Sequence, residues 1–186
     1  WTLRRYDLAP AATPVRGTIL FQTGRGDMVE KYLDALAHWS RAGWRVTGFD
    51  WRGQGGSGRL ATDPHTGHIR DFGTYGSDLQ AFWAQMDEPG PRVLMGHSMG
   101  GHIALRAVLE GAVDPAALIL SAPMLGFDTP IPAHWVAALV RLLARRWPER
   151  QAWSSNEKPG ALSSRQAMLT HDTARYEDEA WWRAHN

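Results

Sequence analysis

The clearest chemical pattern in the sequence is Gly96-His97-Ser98-Met99-Gly100-Gly101. It fits G-x-S-x-G, in which a serine lies on a tight turn between a strand and a helix and attacks a carbonyl carbon. Glycines two positions to each side leave room for the turn, and the start of the following helix favours negative charge. The pattern also occurs as an ordinary turn, but here a strand-like run precedes it and a helical pattern follows it. Ser98 is therefore predicted to be a nucleophile in acyl transfer.

Acyl transfer also needs hydrogen-bond donors for the negative charge that develops on the carbonyl oxygen. In hydrolases with this turn, one donor is the backbone N–H of the residue after the serine, here Met99. The second donor comes from the loop after an earlier strand. Residues 23–27, the oxyanion loop, follow such a strand and contain two glycines, and their position selects the N–H of Arg25. An ordinary β-to-α turn is the alternative interpretation.

The elements that must position these residues follow from the apolar periodicity. Short apolar runs predict strands at 17–22, 44–50, 92–95 and 116–120, and helical stripes predict helices at 29–42, 75–86 and 99–110. Strands separated by single helices are typical of an α/β fold with a mostly parallel sheet and flanking helices. Since such sheets bind ligands at the carboxyl ends of their strands, Ser98 and the oxyanion loop are expected to meet there.

The chain changes character after residue 123. Residues 1–123 are predicted to form the N-terminal part of the α/β core, and residues 124–186 an incomplete helical cap. The cap contains helical patterns at 131–147 and at 173–184, and no strand-like run follows residue 121. The last strands of the fold are therefore predicted to be absent from this chain.

Composition excludes several classes of protein. The chain has 186 residues, of which 44% are hydrophobic and 21% charged, an ordinary balance for one globular domain. A net charge of +1 gives no support for a nucleic-acid partner. Cysteine is absent and the histidines show no metal-ligand spacing, so no metal site is predicted. Acyl transfer by a serine needs neither a metal nor an organic cofactor, and no cofactor is predicted. With no apolar signal segment and no spanning segment of roughly 18 apolar residues, the chain is predicted to be cytoplasmic.

A second glycine-rich segment, Gly53-Gln54-Gly55-Gly56-Ser57-Gly58, matches the dinucleotide fingerprint G-x-G-x-x-G. That fingerprint must open a helix, so that the phosphate lies at the helix N-terminus. The residues that follow, 59–68, include Pro64 and several other helix breakers. A dinucleotide site is therefore rejected.

Three segments together resemble a known family. Asp50-Trp51-Arg52-Gly53-Gln54-Gly55-Gly56-Ser57 resembles the D-x-R-G-x-G-x-S loop of α/β-hydrolases. With residues 24–32 and 96–101, the chain is similar to the branch that contains lysophospholipase L2 and monoacylglycerol lipase. The resemblance implies an α/β-hydrolase fold, a structural loop after Asp50, and a cap that shapes an acyl-binding pocket. It also implies Ser98 as nucleophile and Arg25 and Met99 as oxyanion donors, although this branch often has His-Gly where this chain has Thr23-Gly24.

The acid and the histidine of the catalytic triad are not identified. In α/β-hydrolases they follow later strands, after the serine. None of the histidines after the turn, which are His102, His134, His171 and His185, follows a late strand. Asp128 and the pair His171-Asp172 are weak candidates. The two residues are expected beyond Asn186 in a longer hydrolase, and the chain by itself is expected to have no appreciable esterase activity.

The predicted helix at 131–147 is apolar on most of its circumference and has three arginines near its end. One interpretation is a lid in which Trp135 and Leu139 line an acyl pocket and the arginines contact the inner membrane face. The other is a helix packed on the core with a solvated basic end. The sequence thus favours a serine hydrolase that cleaves a lysophospholipid or a monoacylglycerol. A peptidase of the proline-iminopeptidase type and a non-catalytic binding fragment stay open, and oligomeric state is not predicted.

Overall fold

A computed structural model describes residues 1–61, 67–126, 133–147 and 172–185. One five-stranded sheet forms the centre of the molecule, in the order β1-β3-β2-β4-β5. The strands are β1 (Arg5–Leu8), β2 (Gly17–Gln22), β3 (Trp44–Phe49), β4 (Arg92–His97) and β5 (Ala117–Ser121). β2 is parallel to β3 and to β4, and β4 is parallel to β5. The predicted α/β architecture with a mostly parallel sheet is confirmed.

The helices follow the predicted order. They are α1 (Leu33–Arg41), α2 (Gly73–Ala84), α3 (Ser98–Leu109), α4 (Ala133–Arg146) and α5 (Thr173–His185). The helix predicted from residue 29 begins as a separate 3-10 turn over Val29–Tyr32. α2 begins earlier than the helix predicted at 75–86. Its first residue is Gly73, and the low helix propensity of glycine had excluded this residue from the prediction.

Among the strands of the described residues, β1 alone was not predicted from the sequence. It is antiparallel to β3, with Arg5 opposite Phe49 and Leu8 opposite Val46. Its four residues alternate between exposed and half-buried positions and include two charged side chains. A short, mixed segment of this kind gives no apolar run, and its pairing with β3 is what makes it a strand.

The sheet separates two hydrophobic cores. Side chains of α2 and α3 pack on one face around Leu20, Phe49 and Leu94. Side chains of α1 and of the 3-10 turn pack on the other face around Phe21 and Val46. All six residues of β2 are buried, since this central strand is covered on both faces. The carboxyl ends of β2 and β4, which bear the predicted site, are thus fixed by packing on both sides.

The periphery is less covered. β5 forms one edge of the sheet, and Ile119 on it is 44% exposed. In α4, only Val136 and Ala137 are half-buried among the side chains that the structure describes. α5 packs on the 3-10 turn and buries Tyr176 and Glu179. Among the described residues, no helix is both long enough and apolar enough to cross a membrane.

Candidate active site

Ser98 is the first residue of α3 and follows the last residue of β4 directly. Its backbone φ of 50° lies in the left-handed region, which residues other than glycine rarely adopt. Such a conformation costs about 1–3 kcal/mol and persists only where the surrounding structure imposes it. A left-handed residue between a strand and a helix is the backbone geometry of the predicted nucleophile turn.

Three glycines allow this turn by bringing backbone segments into direct contact. A Cβ atom on Gly96 would lie 2.6 Å from the carbonyl oxygen of Gly100. One on Gly100 would overlap the carbonyl oxygen of Thr23. One on Gly101 would lie 2.9 Å from the carbonyl oxygen of Gly96. The strand, the helix and the oxyanion loop therefore pack at distances that no side chain permits.

Met99 contributes its backbone to the site. Its side chain is 2% exposed and belongs to the core between the sheet and α2. Its N–H lies in the first turn of α3, where amides have no partner within the helix. The residue before the helix, His97, makes no side-chain capping hydrogen bond to that turn. The first turn of α3 therefore offers amide donors and the positive end of the helix dipole beside Ser98.

The oxyanion loop lies against Ser98. A Cβ atom on Gly24 would lie 3.3 Å from the Cβ of Ser98 and 3.4 Å from Cδ2 of His97. The N–H of Gly24 donates to Asp27 Oδ2 at 3.2 Å, and the N–H of Gly26 donates to Gln54 Oε1. The amide of Arg25 lies between these two anchored amides. The structure thus brings the loop and Ser98 together, as predicted.

Sequence reasoning missed Asp27 as a residue of this site. Its carboxylate is 5% exposed and also accepts hydrogen bonds from the Tyr32 hydroxyl at 2.6 Å and from Lys31 Nζ at 3.0 Å. Burial, and then the negative charge of Asp27, raise the pKa of Tyr32 well above its usual value, so that this hydroxyl stays a donor. An acidic residue in a β-to-α loop matches no catalytic motif, so Asp27 could not be recognised from the sequence.

The glycine-rich loop after β3 stabilises the fold around Asp50. The carboxylate of Asp50 is fully buried and accepts hydrogen bonds from Arg4 Nε at 2.6 Å, from the Gly56 N–H at 2.8 Å and from the Val29 N–H at 3.1 Å. Burial raises the pKa of Asp50, while the Gly56 amide and Arg4 oppose the rise. The described residues directly after this loop, 58–61, are not helical. Within these residues, no helix N-terminus follows the loop for a phosphate.

A second contact links the nucleophile turn to the end of β5. The N–H of Met124 donates to the carbonyl oxygen of Ser98 at 3.0 Å. Nδ1 of His97 lies 3.4 Å from the Ser121 hydroxyl, and its ring lies 6.0 Å from the ring of Tyr32. The His97 ring therefore lies near both Ser121 and Tyr32, and its hydrogen bond is to the Ser121 hydroxyl.

The other described histidines after Ser98 lie elsewhere. The ring of His102 contacts Phe72, that of His134 contacts Trp135, and that of His185 stacks on Trp181. Within the described ranges, the Ser98 hydroxyl has no hydrogen-bond partner. Asp172 caps α5 by accepting the N–H of Arg175 at 3.2 Å, a structural role. Asp128 and His171, the remaining candidates, lie outside the described residues.

The predicted substrate residues lie on α4. Trp135 is 65% exposed and Leu139 is 57% exposed. They share this exposed helix with Arg141, Arg145 and Arg146, all of them exposed. The structure does not bring either apolar side chain to Ser98, so their assignment to an acyl pocket stays a prediction. In the part of the chain that is described, no group of three or more acidic or histidine side chains could hold a metal ion.

The fold and the site together define an α/β-hydrolase. A parallel sheet presents a left-handed serine at a strand-to-helix turn, and a glycine-containing loop from the neighbouring strand lies against that serine. The family model described as serine aminopeptidase, S33, matches residues 13–181. The chain therefore belongs to the serine aminopeptidase S33 family.

Individual proteins resemble the chain in sequence and in structure. Lysophospholipase L2 of Escherichia coli K12 is 34% identical over 157 residues, which are 82% of this chain and 46% of that protein. Monoacylglycerol lipase of Mycolicibacterium smegmatis is 30% identical over 121 residues, 63% of this chain and 41% of that protein. The crystal structure of a soluble variant of Saccharomyces cerevisiae monoglyceride lipase matches with a TM-score of 0.66 at 21% identity, over 96% of this chain and 63% of that one. The chain thus spans less than half the length of these two curated relatives.

Proposed function

We propose that Ser98 is the nucleophile of a carboxylester hydrolase that acts on lipid-like esters. The observation that carries the proposal is the left-handed conformation of Ser98 at the start of α3, directly against the oxyanion loop. A strained residue at this kind of turn is costly for the fold, and exposing a hydroxyl to substrate gives a physical reason for keeping it.

In this mechanism the Ser98 Oγ attacks the ester carbonyl carbon and forms a tetrahedral intermediate. The N–H groups of Met99 and Arg25 stabilise the negative oxygen, and the first turn of α3 adds its dipole. Collapse of the intermediate expels the alcohol and leaves an acyl-enzyme at Ser98. Water then attacks the acyl-enzyme, through a second intermediate held by the same amides, and releases the fatty acid.

A base must take the Ser98 proton and return it to the leaving alcohol. Because no described side chain hydrogen-bonds the Ser98 hydroxyl, we assign this histidine and its acidic partner to parts of the protein outside the described residues. His97 is a poor substitute, since its ring faces Ser121 and Tyr32.

The names of two relatives support a lysophospholipid or a monoacylglycerol as the substrate. The exposed apolar residues of α4, with arginines near its end, support a cap that contacts both the acyl chain and an anionic lipid surface. Trp135 and Leu139 are the side chains that we assign to the acyl chain.

The direct test is labelling of the full-length protein with a fluorophosphonate, followed by identification of the modified residue. We expect a covalent adduct on Ser98 that is absent in Ser98→Ala, together with hydrolysis of a lysophospholipid or a monoacylglycerol. Hydrolysis that persists in Ser98→Ala would place the chemistry elsewhere. An unlabelled but folded protein would instead support a binding role.

A second candidate is an aminopeptidase, because the matching family model is described as a serine aminopeptidase. Both reactions use the same nucleophile, so labelling does not separate them. The two reactions are separated by a panel of substrates that contains long-chain glycerol esters as well as prolyl and other aminoacyl amides. We expect cleavage of the esters; cleavage of the amides alone would favour the peptidase.

A further inference from the structure

The buried carboxylate of Asp27 takes no part in the reaction proposed above, yet Asp27 is the last residue of the oxyanion loop and its carboxylate accepts a hydrogen bond from the backbone at the other end of that loop. Its Oδ2 accepts hydrogen bonds from the Gly24 N–H at 3.2 Å and from the Tyr32 hydroxyl at 2.6 Å, and its Oδ1 accepts one from Lys31 Nζ at 3.0 Å. We infer that Asp27 is a positioning residue, which holds the oxyanion loop so that the Arg25 N–H is aimed at the oxygen bound above Ser98. This inference rests on the proposed function.

The backbone of the loop gives the physical reason. Peptide groups are planar, so a fixed N–H fixes a whole plane. Asp27 holds the plane that ends at the Gly24 N–H, and Gln54 holds the plane that ends at the Gly26 N–H. The peptide plane between them contains the Arg25 N–H and is restricted from both sides. Without these two hydrogen bonds the loop would be highly flexible, because glycine has more backbone conformational freedom than any other residue.

Two neighbouring rings hold Asp27 and Gly24 in place. The Tyr32 hydroxyl donates to Asp27, and its ring lies 6.0 Å from the ring of His97. A Cβ atom on Gly24 would lie 3.4 Å from Cδ2 of that same His97 ring. Since His97 precedes the nucleophile directly, the distance between the loop and Ser98 is set by a continuous set of contacts.

Charge explains why Lys31 belongs to this arrangement. A lone carboxylate near the oxyanion would repel the negative charge that the loop must stabilise. Lys31 Nζ lies 3.0 Å from Asp27 Oδ1 and compensates that charge. It also lies 3.5 Å from Glu179 Oε2 on α5. The helix α5 is therefore connected to the oxyanion loop through one ammonium group.

The test compares Asp27→Ala and Asp27→Asn with Asp34→Asn in the full-length protein. Asp34 is a control because its carboxylate is exposed and pairs with Arg175 instead of with the backbone of the loop. We expect Asp27→Ala to lower kcat about 10–100-fold, approaching the loss of an oxyanion donor, with KM changed less than about twofold because ground-state binding does not use the loop. The kcat of Asp27→Asn should lie between those of Asp27→Ala and the wild type, because the neutral amide oxygen accepts weaker hydrogen bonds than a carboxylate. Asp34→Asn should match the wild type.

A second readout does not depend on activity. Amide hydrogen exchange at Gly24 should accelerate about tenfold or more in Asp27→Ala, since its hydrogen bond is lost. Unchanged exchange together with unchanged kcat would overturn the inference. If the wild type neither cleaves esters nor reacts at Ser98, the proposed function fails, and Gly24 exchange alone decides whether Asp27 holds the loop. If Asp27→Ala does not fold, Asp27→Asn decides the question. A kcat and a Gly24 amide exchange rate equal to those of the wild type in that variant would overturn the inference.

Discussion

Gly100 in α3 packs against the carbonyl group of Thr23 so closely that no side chain fits between them. A Cβ atom there would overlap the carbonyl oxygen of Thr23 and lie 2.7 Å from that of Gln22. The helix that begins with Ser98 thus packs directly on the backbone that leads into the oxyanion loop. This one approach fixes the relative position of the two halves of the site.

Gly100→Ala should therefore destabilise the fold, because backbone atoms on both sides must move. We expect the free energy of unfolding to fall by about 1–3 kcal/mol, and reaction with a fluorophosphonate to slow. Gly76→Ala is the matched control: Gly76 lies inside α2 with open space around it. That change should stabilise the protein by about 0.5–1 kcal/mol. Chemical denaturation of the two variants measures both effects, and equal stabilities would contradict the expectation.

The strain at Ser98 predicts a difference between two inactive variants. Ser98→Ala keeps the left-handed penalty of about 1–2 kcal/mol, whereas Ser98→Gly removes it and loses roughly 0.5–1 kcal/mol to unfolded-state entropy. We expect Ser98→Gly to be more stable than Ser98→Ala by about 0.5–1 kcal/mol. Denaturant unfolding of the pair gives the answer. A less stable glycine variant would mean that the turn imposes no strain.

Arg4 is expected to be important for stability and Arg5 is not. Arg4 pairs with the buried carboxylate of Asp50 and, at 2.5 Å, with Glu30. Arg4→Met removes the guanidinium that hydrogen-bonds the buried Asp50 carboxylate and should lower the free energy of unfolding by about 1.5–3 kcal/mol. Arg5→Met removes a pair with the exposed Asp7, which is worth about 0–1 kcal/mol. Urea titrations of the two variants test this contrast; similar losses would show that burial of Asp50 is unimportant.

Alkaline pH should destabilise the protein through its buried tyrosines. Burial raises the pKa of Tyr6, of Tyr32 and of Tyr75 above their ordinary value of 10.0. Above pH 10.0 the unfolded chain loses these protons while the folded chain keeps them, so the stability they contribute is complete below that pH and is lost as pH rises. We expect the free energy of unfolding to decline from that pH upward, with a shallower slope in Tyr6→Phe. A titration at 295 nm that shows these three ionising normally in the folded state would contradict this.

The sequence by itself determined the α/β class, the positions of four strands along the chain and the strand-to-helix turn at Ser98. Apolar runs bounded by helical stripes are local signals, and they were sufficient because β2 and β4 are buried on their core faces. Gly96 and Gly100 were recognisable for the same reason, since a tight turn requires them whatever the rest of the chain does. Residues that act through local geometry can be predicted from local sequence.

Tertiary structure decided what depends on contacts between distant segments. β1 became a strand through its pairing with β3, about forty residues away. Asp27 became an anchor because the 3-10 turn after it returns Lys31 and Tyr32 to its carboxylate. The buried charge of Asp50 is compensated by Arg4, which is 46 residues away in the chain. These cases have the same physical reason. The hydrogen bonds and ion pairs of a buried group depend on which donors the fold brings close to it, and the local periodicity of the sequence does not indicate those donors.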